Sequence, residues 1–302
     1  MNTDTVARVL AALAEENGLL TVTAANRKGI GRKTLTRAAD EGVLRRAARG
    51  KYIAPTAPTR ALLFRGAEMG GEGALSHRGG AYYWGLDGVD QLILEWSVPH
   101  NSRRTGPLVH RRRRFEDLDI VERGGVMVTS VMQTLADAGA VCDADVVERM
   151  VESALRKGLT TDEALRAFVA SRVRSRHGTP TLRAVLDRRE PGERPTGSDI
   201  ETICLQVYRR AGLAPRRQWR VDGADGELVG FGDFGFPPKA FISELDGLAS
   251  HDLENRQYDY DRQRRIEDLG YTFRRFTRED VLWRPKYLCD ATRRGLVIAR
   301  YL

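Results

Sequence analysis

Three carboxylates near the C-terminal end are spaced so that they could hold a metal ion. Asp233 lies in an apolar run that follows Glu227, and Glu244 and Asp246 lie in the next apolar run, beyond a Pro-Pro-Lys turn. Apolar runs flanked by Gly and Pro are typical of strands. Because side chains alternate across a strand, Glu244 and Asp246 project from one face, and the neighbouring strand can bring Asp233 beside them. Hard divalent cations neutralise such carboxylates, so the spacing predicts a Mg²⁺ or Mn²⁺ site held by Asp233 and Glu244.

Further residues could complete a hydrolytic site. Glu201 lies in the first turn of a predicted helix. We expect Glu201 and Asp246 either to bind the ion directly or to contact one of its ligands. His251 is a candidate general acid or base, since its unperturbed pKa is about 6.5. A bound ion would lower the pKa of its water and neutralise charge on a scissile phosphate. The predicted catalytic residues are therefore Glu201, Asp233, Glu244, Asp246 and His251.

Basic residues follow the acids on the next predicted helix and strand, and they leave two interpretations open. They are Arg256, Arg262, Arg264, Arg265, Arg274 and Arg275. In the first interpretation they hold a phosphate backbone, with Arg262, Arg265 and Arg275 as the predicted DNA contacts. In the second, the acids are capping and salt-bridging groups that face these arginines. The shared strand face of Glu244 and Asp246 favours the metal site.

The elements that must position these residues follow one another in the order α-β-β-β-α-β-α. Ser198 or Asp199 can cap the first helix, and Gly212 ends it. The predicted strands and helices after it are Gln218–Val221, Leu228–Phe236, Ala240–Glu244, Leu253–Leu269, Tyr271–Phe276 and a last helix from Thr277. This is the order of the PD-(D/E)XK nuclease core.

Individual residues carry a closer likeness, which runs from Ser198 to Leu302. They are Glu201, Asp233-Phe, Glu244-Leu-Asp246-Gly247, His251, Asp259, Arg262, Ile266, Gly270-Tyr271 and Arg275-Phe-Thr277. In these positions the segment resembles a widespread bacterial domain related to very-short-patch-repair (Vsr) endonucleases. The resemblance implies a metal-dependent DNA endonuclease. The family name expects Lys two residues after the acid, where this chain has Asp246, so the group that activates water stays open. The fold does not guarantee the activity.

The first sixty residues have the pattern of a winged helix-turn-helix. Apolar residues at helical spacing predict a first helix over Thr3–Glu16. Two further helices, over Thr21–Arg27 and Lys33–Glu41, flank a turn at Gly29-Ile-Gly31. A basic hairpin follows, with predicted strands at Val43–Arg46 and Lys51–Ile53.

Positive charge is concentrated on the elements of this segment that should face a DNA duplex. The only acids between residues 27 and 51 are Asp40 and Glu41. In a winged helix-turn-helix, the start and outer face of the helix predicted at Lys33–Glu41 contact base edges and phosphates, and the hairpin contacts the DNA backbone. The predicted DNA contacts are Arg27, Lys28, Arg32, Lys33, Thr34, Arg37, Arg45, Arg46, Arg49 and Lys51. The alternative is a small helical module that docks protein.

Three short motifs give this segment a family resemblance. They are Gly29-Ile-Gly-Arg-Lys-Thr-Leu, Glu41-Gly-Val-Leu-Arg-Arg and Arg49-Gly-Lys-Tyr-Ile. The segment resembles the N-terminal domain of AbiEi-type antitoxins, regulators of bacterial type IV toxin–antitoxin systems. The resemblance implies DNA binding and repression of the chain's own operon. It makes a cognate toxin or a second copy of the chain the further partners to consider, in a toxin–antitoxin or phage-defence setting.

The middle of the chain resembles the same family but carries no sharp chemical motif. Its motifs are Leu75-Ser-His77, Val109-His110-Arg and Thr129-Ser-Val-Met-Gln-Thr-Leu-Ala-Asp137. We expect structural roles for His77 and His110, because isolated histidines are more often structural than functional. Predicted strands are Leu92–Val98 and Val109–Arg113, predicted helices Ser130–Ala140 and Ala144–Lys157.

Composition sets the broad class. The 302 residues suit two or three domains, and 49 Lys and Arg against 41 Asp and Glu leave a charge of +8. Arginine excess suits phosphate contacts, although a high-GC genome explains it equally well. No run approaches the ~20 apolar residues of a membrane span, and no basic leader opens the chain. The three cysteines, Cys142, Cys204 and Cys289, are far apart in the sequence and fit buried thiols in a reducing cytoplasm. We therefore predict a cytoplasmic chain with no membrane partner.

The sequence thus predicts an α+β multidomain chain. A winged helix-turn-helix covers residues 1–58, a mixed α/β middle domain 59–190, a linker 191–197 and a restriction-endonuclease-like (PD-(D/E)XK) α/β core 198–302. Two functions are open. The first is a DNA endonuclease that depends on Mg²⁺ or Mn²⁺ and is guided by the winged helix. The second is a non-enzymatic, antitoxin-like repressor with an inactive nuclease fold.

Overall fold

The computed structural model describes residues 1–16, 18–48, 50–55, 73–91, 93–103, 108–123, 126–172, 178–246 and 253–302. The chain divides into two compact units. The first unit comprises Met1–Gly85 and Val89–Val141, and the second comprises Leu86–Gly88 and Cys142–Leu302. In the described residues, no helix is both long enough and apolar enough to cross a bilayer.

The first unit begins with three helices and a small antiparallel sheet. In chain order the elements are α1 (Thr3–Glu15), β1 (Leu19–Thr21), α2 (Val22–Arg27), α3 (Arg32–Asp40), β2 (Arg45–Ala48) and β3 (Lys51–Ile53). The strands lie in the order β1-β3-β2. Asn2 and Thr21 cap α1 and α2 with their side-chain oxygens, as their residue types favour. Element order and strand order are those of a winged helix-turn-helix.

A core of aliphatic side chains holds these helices on the sheet. Val9 of α1, Leu35 of α3 and Leu20 of β1 are fully buried. Strand β1 was not among the predicted elements, because Leu19-Leu-Thr is too short for its period to be read. Its pairing with β3, from Leu19↔Ile53 to Thr21↔Lys51, is what identifies it.

The other described residues of the first unit form a five-stranded mixed sheet with two α-helices. Its elements are β4 (Ala74–Leu75), α4 (His77–Trp84), β5 (Trp96–Pro99), β6 (Val109–Arg112), β7 (Ile120–Arg123), β8 (Val126–Thr129) and α5 (Val131–Ala138). The strand order is β6-β5-β4-β8-β7, with β5/β6 and β4/β8 parallel. A Cβ on Gly79 would lie 2.7 Å from the Ile93 carbonyl oxygen, so only glycine allows α4 to approach that backbone this closely.

The strand predicted at Leu92–Val98 is shorter and later than expected. Residues 93–95 are irregular, β5 begins at Trp96, and residue 92 lies outside the described ranges. The apolar run was read as one strand, but the chain instead passes close to α4 before it joins the sheet.

The second unit opens with four helices. They are α6 (Ala144–Arg156), α7 (Asp162–Ser171), α8 (Thr179–Asp187) and α9 (Asp199–Arg210). Asp143, Thr161 and Ser198 cap α6, α7 and α9. The residues between α8 and α9, interpreted as a linker, include the fully buried Thr196. Its backbone N–H donates to Glu152 of α6 at 3.0 Å, so this segment is packed against a helix.

A four-stranded sheet and three helices complete the second unit. They are β9 (Arg216–Asp222), β10 (Leu228–Gly235), β11 (Phe241–Leu245), α10 (Leu253–Asp268), β12 (Thr272–Phe276), α11 (Arg278–Trp283) and α12 (Pro285–Ile298). The strand order is β12-β11-β10-β9, with β11 and β12 parallel and the other pairs antiparallel. From α9 to α11, the elements follow the order α-β-β-β-α-β-α expected from the sequence, and α12 is a further helix where one last helix was predicted.

Candidate functional site

The start of α3 presents positive charge to solvent. Arg32 and Lys33 are exposed in its first turn, and Thr34 is half-buried. Gly31 occupies the cap position without a capping side chain, and the first turn contains no acid. The exposed amides of a helix N-terminus carry a partial positive charge, so the two side chains add to a field of the same sign.

The other predicted DNA contacts fall into two groups. Lys28 and Arg37 already have carboxylate partners, Lys28 with Glu15 at 2.6 Å and Arg37 with Glu41 at 2.7 Å. Arg27 and Arg46 are exposed, while Arg45 and Lys51 are half-buried. Arg49 lies outside the described residues.

Two of the carboxylates predicted in the second unit, Asp233 and Glu244, lie on the middle strands of its sheet. Phe234 of β10 pairs with Ser243 of β11, and Asp233 and Glu244 are the next residues on the two antiparallel strands, so they lie opposite each other. Asp233 is half-buried, and its Oδ2 accepts the backbone N–H of Leu245 at 2.8 Å. Glu244 is buried, whereas Asp246 is exposed.

Two of the arginines predicted to hold phosphate contact these acids. Arg262 donates to Glu244 Oε1 at 2.9 Å and also to the carbonyl oxygen of Phe231. Arg275 lies 3.7 Å from Glu244 and 3.6 Å from Asp246. These contacts correspond to the salt-bridge interpretation for Arg262 and Arg275.

Three residues of this predicted site remain: Arg265, Glu201 and His251. Arg265 is exposed on α10, whereas Glu201 lies buried in the first turn of α9. Glu201 accepts from the Gly197 amide at 2.6 Å and from Gln218 at 3.1 Å, and it also bonds the hydroxyl of Ser198. It therefore caps its own helix. His251, the predicted acid or base, lies outside the described residues.

Asp233 has the most perturbed carboxyl of this group. Burial and the neighbouring charges of Glu201 and Glu244 raise the pKa of Asp233 to about 7, against the opposing Leu245 amide and Arg262. Burial also raises the pKa of Glu244, although Arg262 and Arg275 oppose it. Mutual repulsion of carboxylates is what a divalent cation relieves, so the donor chemistry fits the predicted ion.

One group of three ligand-type residues stands much closer together, and it lies in the first unit. In the described part of the chain, only His77, Glu95 and His110 place three donor atoms within 4.8 Å of one another. The carboxylates of the second unit do not meet that distance, and their metal role stays a prediction. Sequence reasoning treated the two histidines as isolated and did not single out Glu95. No spacing rule joins residues this far apart.

The comparisons with known proteins address the N-terminal segment. A family model described as a transcriptional regulator, AbiEi antitoxin, matches residues 8–55. This range covers the winged helix from within α1 to the residues just after β3, and it confirms the resemblance of this segment to AbiEi-type antitoxins. No curated protein matches the chain.

Proposed function

We propose that this chain, whose residues 8–55 match the AbiEi antitoxin regulators, is a transcriptional regulator that reads an operator with α3. The observation that carries the proposal is the pair of exposed cations, Arg32 and Lys33, in the first turn of that helix. Charge of this sign at a helix N-terminus is unfavourable by about 0.3–1 kcal/mol per residue. A negatively charged partner would make the interaction of these cations favourable. The N-terminal residues of a recognition helix are the ones that enter the major groove of DNA.

The roles of the basic residues follow from their placement. Arg32 is long enough to reach a guanine edge with two hydrogen bonds, while Lys33 and Thr34 suit phosphate oxygens. Arg46, exposed on β2, would contact the backbone beside the groove. Arg37 should contribute less, because its guanidinium is already held by Glu41.

The test is the affinity of the full-length chain for a DNA sequence selected from a random library by that chain. Arg32→Ala should weaken binding by about 1–3 kcal/mol and reduce the preference over unrelated DNA. Lys33→Ala should weaken binding to all sequences alike and reduce the salt slope by about one. Arg294→Ala, an exposed arginine on α12, is the matched control. Unchanged affinity and preference in Arg32→Ala would refute α3 as the reading element.

A protein partner is a further part of the proposal. AbiEi-type antitoxins act with a toxin, so a nucleotidyltransferase-type toxin encoded beside this gene would be the partner. Co-expression of the neighbouring gene with and without this chain tests it: the antitoxin role requires that growth be restored. Failure to restore growth, with DNA binding intact, would leave only the regulator role.

We propose metal-dependent DNA cleavage by the second unit as an alternative function. It is supported by the element order from α9 to α11, by the neighbouring positions of Asp233 and Glu244, and by the raised pKa of Asp233. Asp233 and Glu244 would hold the ion, which would supply an activated water. The order alone is weak support, since folds host many functions.

Plasmid cleavage by the full-length chain in Mg²⁺ or Mn²⁺ tests this alternative. Asp233→Asn and Glu244→Gln should each abolish cleavage, whereas Asp268→Asn, an exposed acid on α10, should not. Cleavage that persists in both site variants would indicate a contaminating nuclease. Absence of cleavage by the unmodified chain would leave the regulator role alone.

A further inference from the structure

His77, Glu95 and His110 are brought together by three neighbouring strands of the first unit. His77 follows β4, Glu95 precedes β5 and His110 lies in β6, and the sheet order β6-β5-β4 makes these strands adjacent. The parallel pairing of β5 with β6 sets Ser97 opposite His110. Each member of the cluster therefore lies in one of these strands or within two residues of its end.

The three side chains are in direct contact. His110 Nε2 lies 2.8 Å from Glu95 Oε1, and the rings of His77 and His110 stack with their centroids 3.6 Å apart. The side chain of Glu95 is 1% exposed and that of His110 is 30% exposed. Solvent can thus reach the cluster at His110 while the carboxylate is shielded from it.

The residue types of the cluster suit a cation. Imidazole nitrogens and carboxylate oxygens are both common metal ligands, and here one ligand atom from each of the three residues lies within 4.8 Å of the others.

Groups around the cluster hold its members in place. Ser76 Oγ lies 2.7 Å from His77 Nδ1, and Ser97 donates to Ser76 at 3.0 Å. A hydrogen bond to one ring nitrogen orients a metal-binding histidine and selects the tautomer whose other nitrogen is a ligand. His77 also has a φ of 51°, a left-handed conformation that is uncommon for histidine and that recurs at functional sites.

A second observation points to an additional group beside the cluster. Asp137 Oδ2 and Gln133 Oε1, both on α5, are buried oxygens without a hydrogen-bond partner. Asp137 accepts from Arg112, whose Nε donates to Ser97 at 3.5 Å, so these oxygens lie near the groups that hold the cluster. Buried acceptors without donors are costly, and a metal-bound water would supply the missing protons.

We propose that His77, Glu95 and His110 bind a divalent transition-metal ion such as Zn²⁺, with a further position for water or an anion. Two imidazole nitrogens and one carboxylate oxygen favour Zn²⁺ over Mg²⁺ and form a known type of open site. Zn–N bonds are about 2.0–2.1 Å, so the stacked rings must turn and His110 must release Glu95. Arg78 donates to Glu95 at 3.0 Å and Arg112 donates to Ser97 at 3.5 Å. Positive charge at these positions would favour an anionic fourth ligand.

The first test measures zinc bound to the full-length chain. After chelator treatment and dialysis against Zn²⁺, elemental analysis should find one more ion per chain in the unmodified protein than in His110→Ala. His100→Ala, an exposed histidine, and Asp233→Asn should keep that ion. Ser76→Ala should weaken affinity by roughly 10–100-fold, as expected for a residue that only orients a ligand. Equal zinc content in His110→Ala and the unmodified chain would refute the site.

The second test needs no variant at the buried positions. Imidazole ¹⁵N NMR signals of the unmodified chain should show two histidines that shift as Zn²⁺ is added, and neither should be His100. His110→Ala, whose side chain is partly exposed, identifies one of the two. If no pair of histidine signals shifts, or if only exposed histidines shift, the cluster is a hydrogen-bonded structural network and the proposal is wrong.

Discussion

The carboxylate cluster of the second unit (Glu201, Asp233, Glu244 and Asp246) and the histidine cluster of the first unit (His77, Glu95 and His110) each contain a carboxyl whose pKa is strongly shifted, and the two shifts have opposite directions. The pKa of Asp233 rises to about 7, whereas that of Glu95 falls to about 2, although burial by itself raises both. Asp233 faces two further carboxylates and has one backbone N–H donor. Glu95 receives hydrogen bonds from His110 and Arg78. The partner, more than the depth of burial, therefore decides the charge state.

The largest effect should come from removing Glu95. Glu95→Ala leaves Arg78 and His110 without their buried partner and should lower the free energy of unfolding by about 3–5 kcal/mol at pH 7. Chemical denaturation measures this loss, with the exposed Glu116→Ala as control. Because the folded-state pKa of Glu95 is depressed, its contribution is complete above about pH 4.5 and shrinks as the pH falls toward 2. A loss below about 1 kcal/mol at pH 7 would contradict this account.

The next effect concerns Mg²⁺, which prefers oxygen ligands to imidazole nitrogens and should therefore bind the carboxylate cluster and not the histidine cluster. At a hundredfold excess over its Kd, Mg²⁺ should stabilise the folded chain by about 2.7 kcal/mol. The increase in melting temperature should vanish in Asp233→Asn and persist in His110→Ala. A shift lost in His110→Ala and kept in Asp233→Asn would reverse the assignment of the two sites.

Asp233→Asn should stabilise the metal-free chain at high pH and not at low pH. A carboxyl whose pKa is raised on folding holds its proton while the unfolded chain loses its own, so stability declines as pH rises from about 4 to about 7. Glu201, Glu244 and Arg262 are the charged groups that face it. Asparagine removes this penalty, and the gain should be about 1–3 kcal/mol at pH 8. Denaturation in EDTA at pH 4 and pH 8 measures it, and a gain independent of pH would show another cause.

The smallest effect is expected for Asp246. Its side chain is 49% exposed and lies 3.6 Å from Arg275, so the pair is largely screened by solvent. Asp246→Ala should change the free energy of unfolding by less than about 1 kcal/mol, and by less still in high salt. A larger loss would show that Asp246 belongs with the buried acids of the carboxylate cluster.

Local patterns in the sequence were enough for much of the fold. Helix α3 was predicted over Lys33–Glu41 and runs over Arg32–Asp40, since a glycine before and after it marks its ends. The elements from α9 to α11 were predicted in their observed order, because the period of apolar residues and the breaks at Gly or Pro are properties of neighbouring residues. Strands β1 and β4 were missed, since two or three residues are too short to show a period.

The sequence by itself determined three features: the resemblance of the N-terminal segment to AbiEi-type antitoxins, the basic start of α3, and the placement of Asp233 and Glu244 on neighbouring strands. Only the tertiary structure decided which groups these side chains contact. The link between Arg262 and Glu244 depends on how α10 packs on the sheet, and the histidine cluster depends on the strand order β6-β5-β4. Periodicity reports which face a residue occupies, whereas a contact between distant residues depends on strand order and register, which no local pattern encodes.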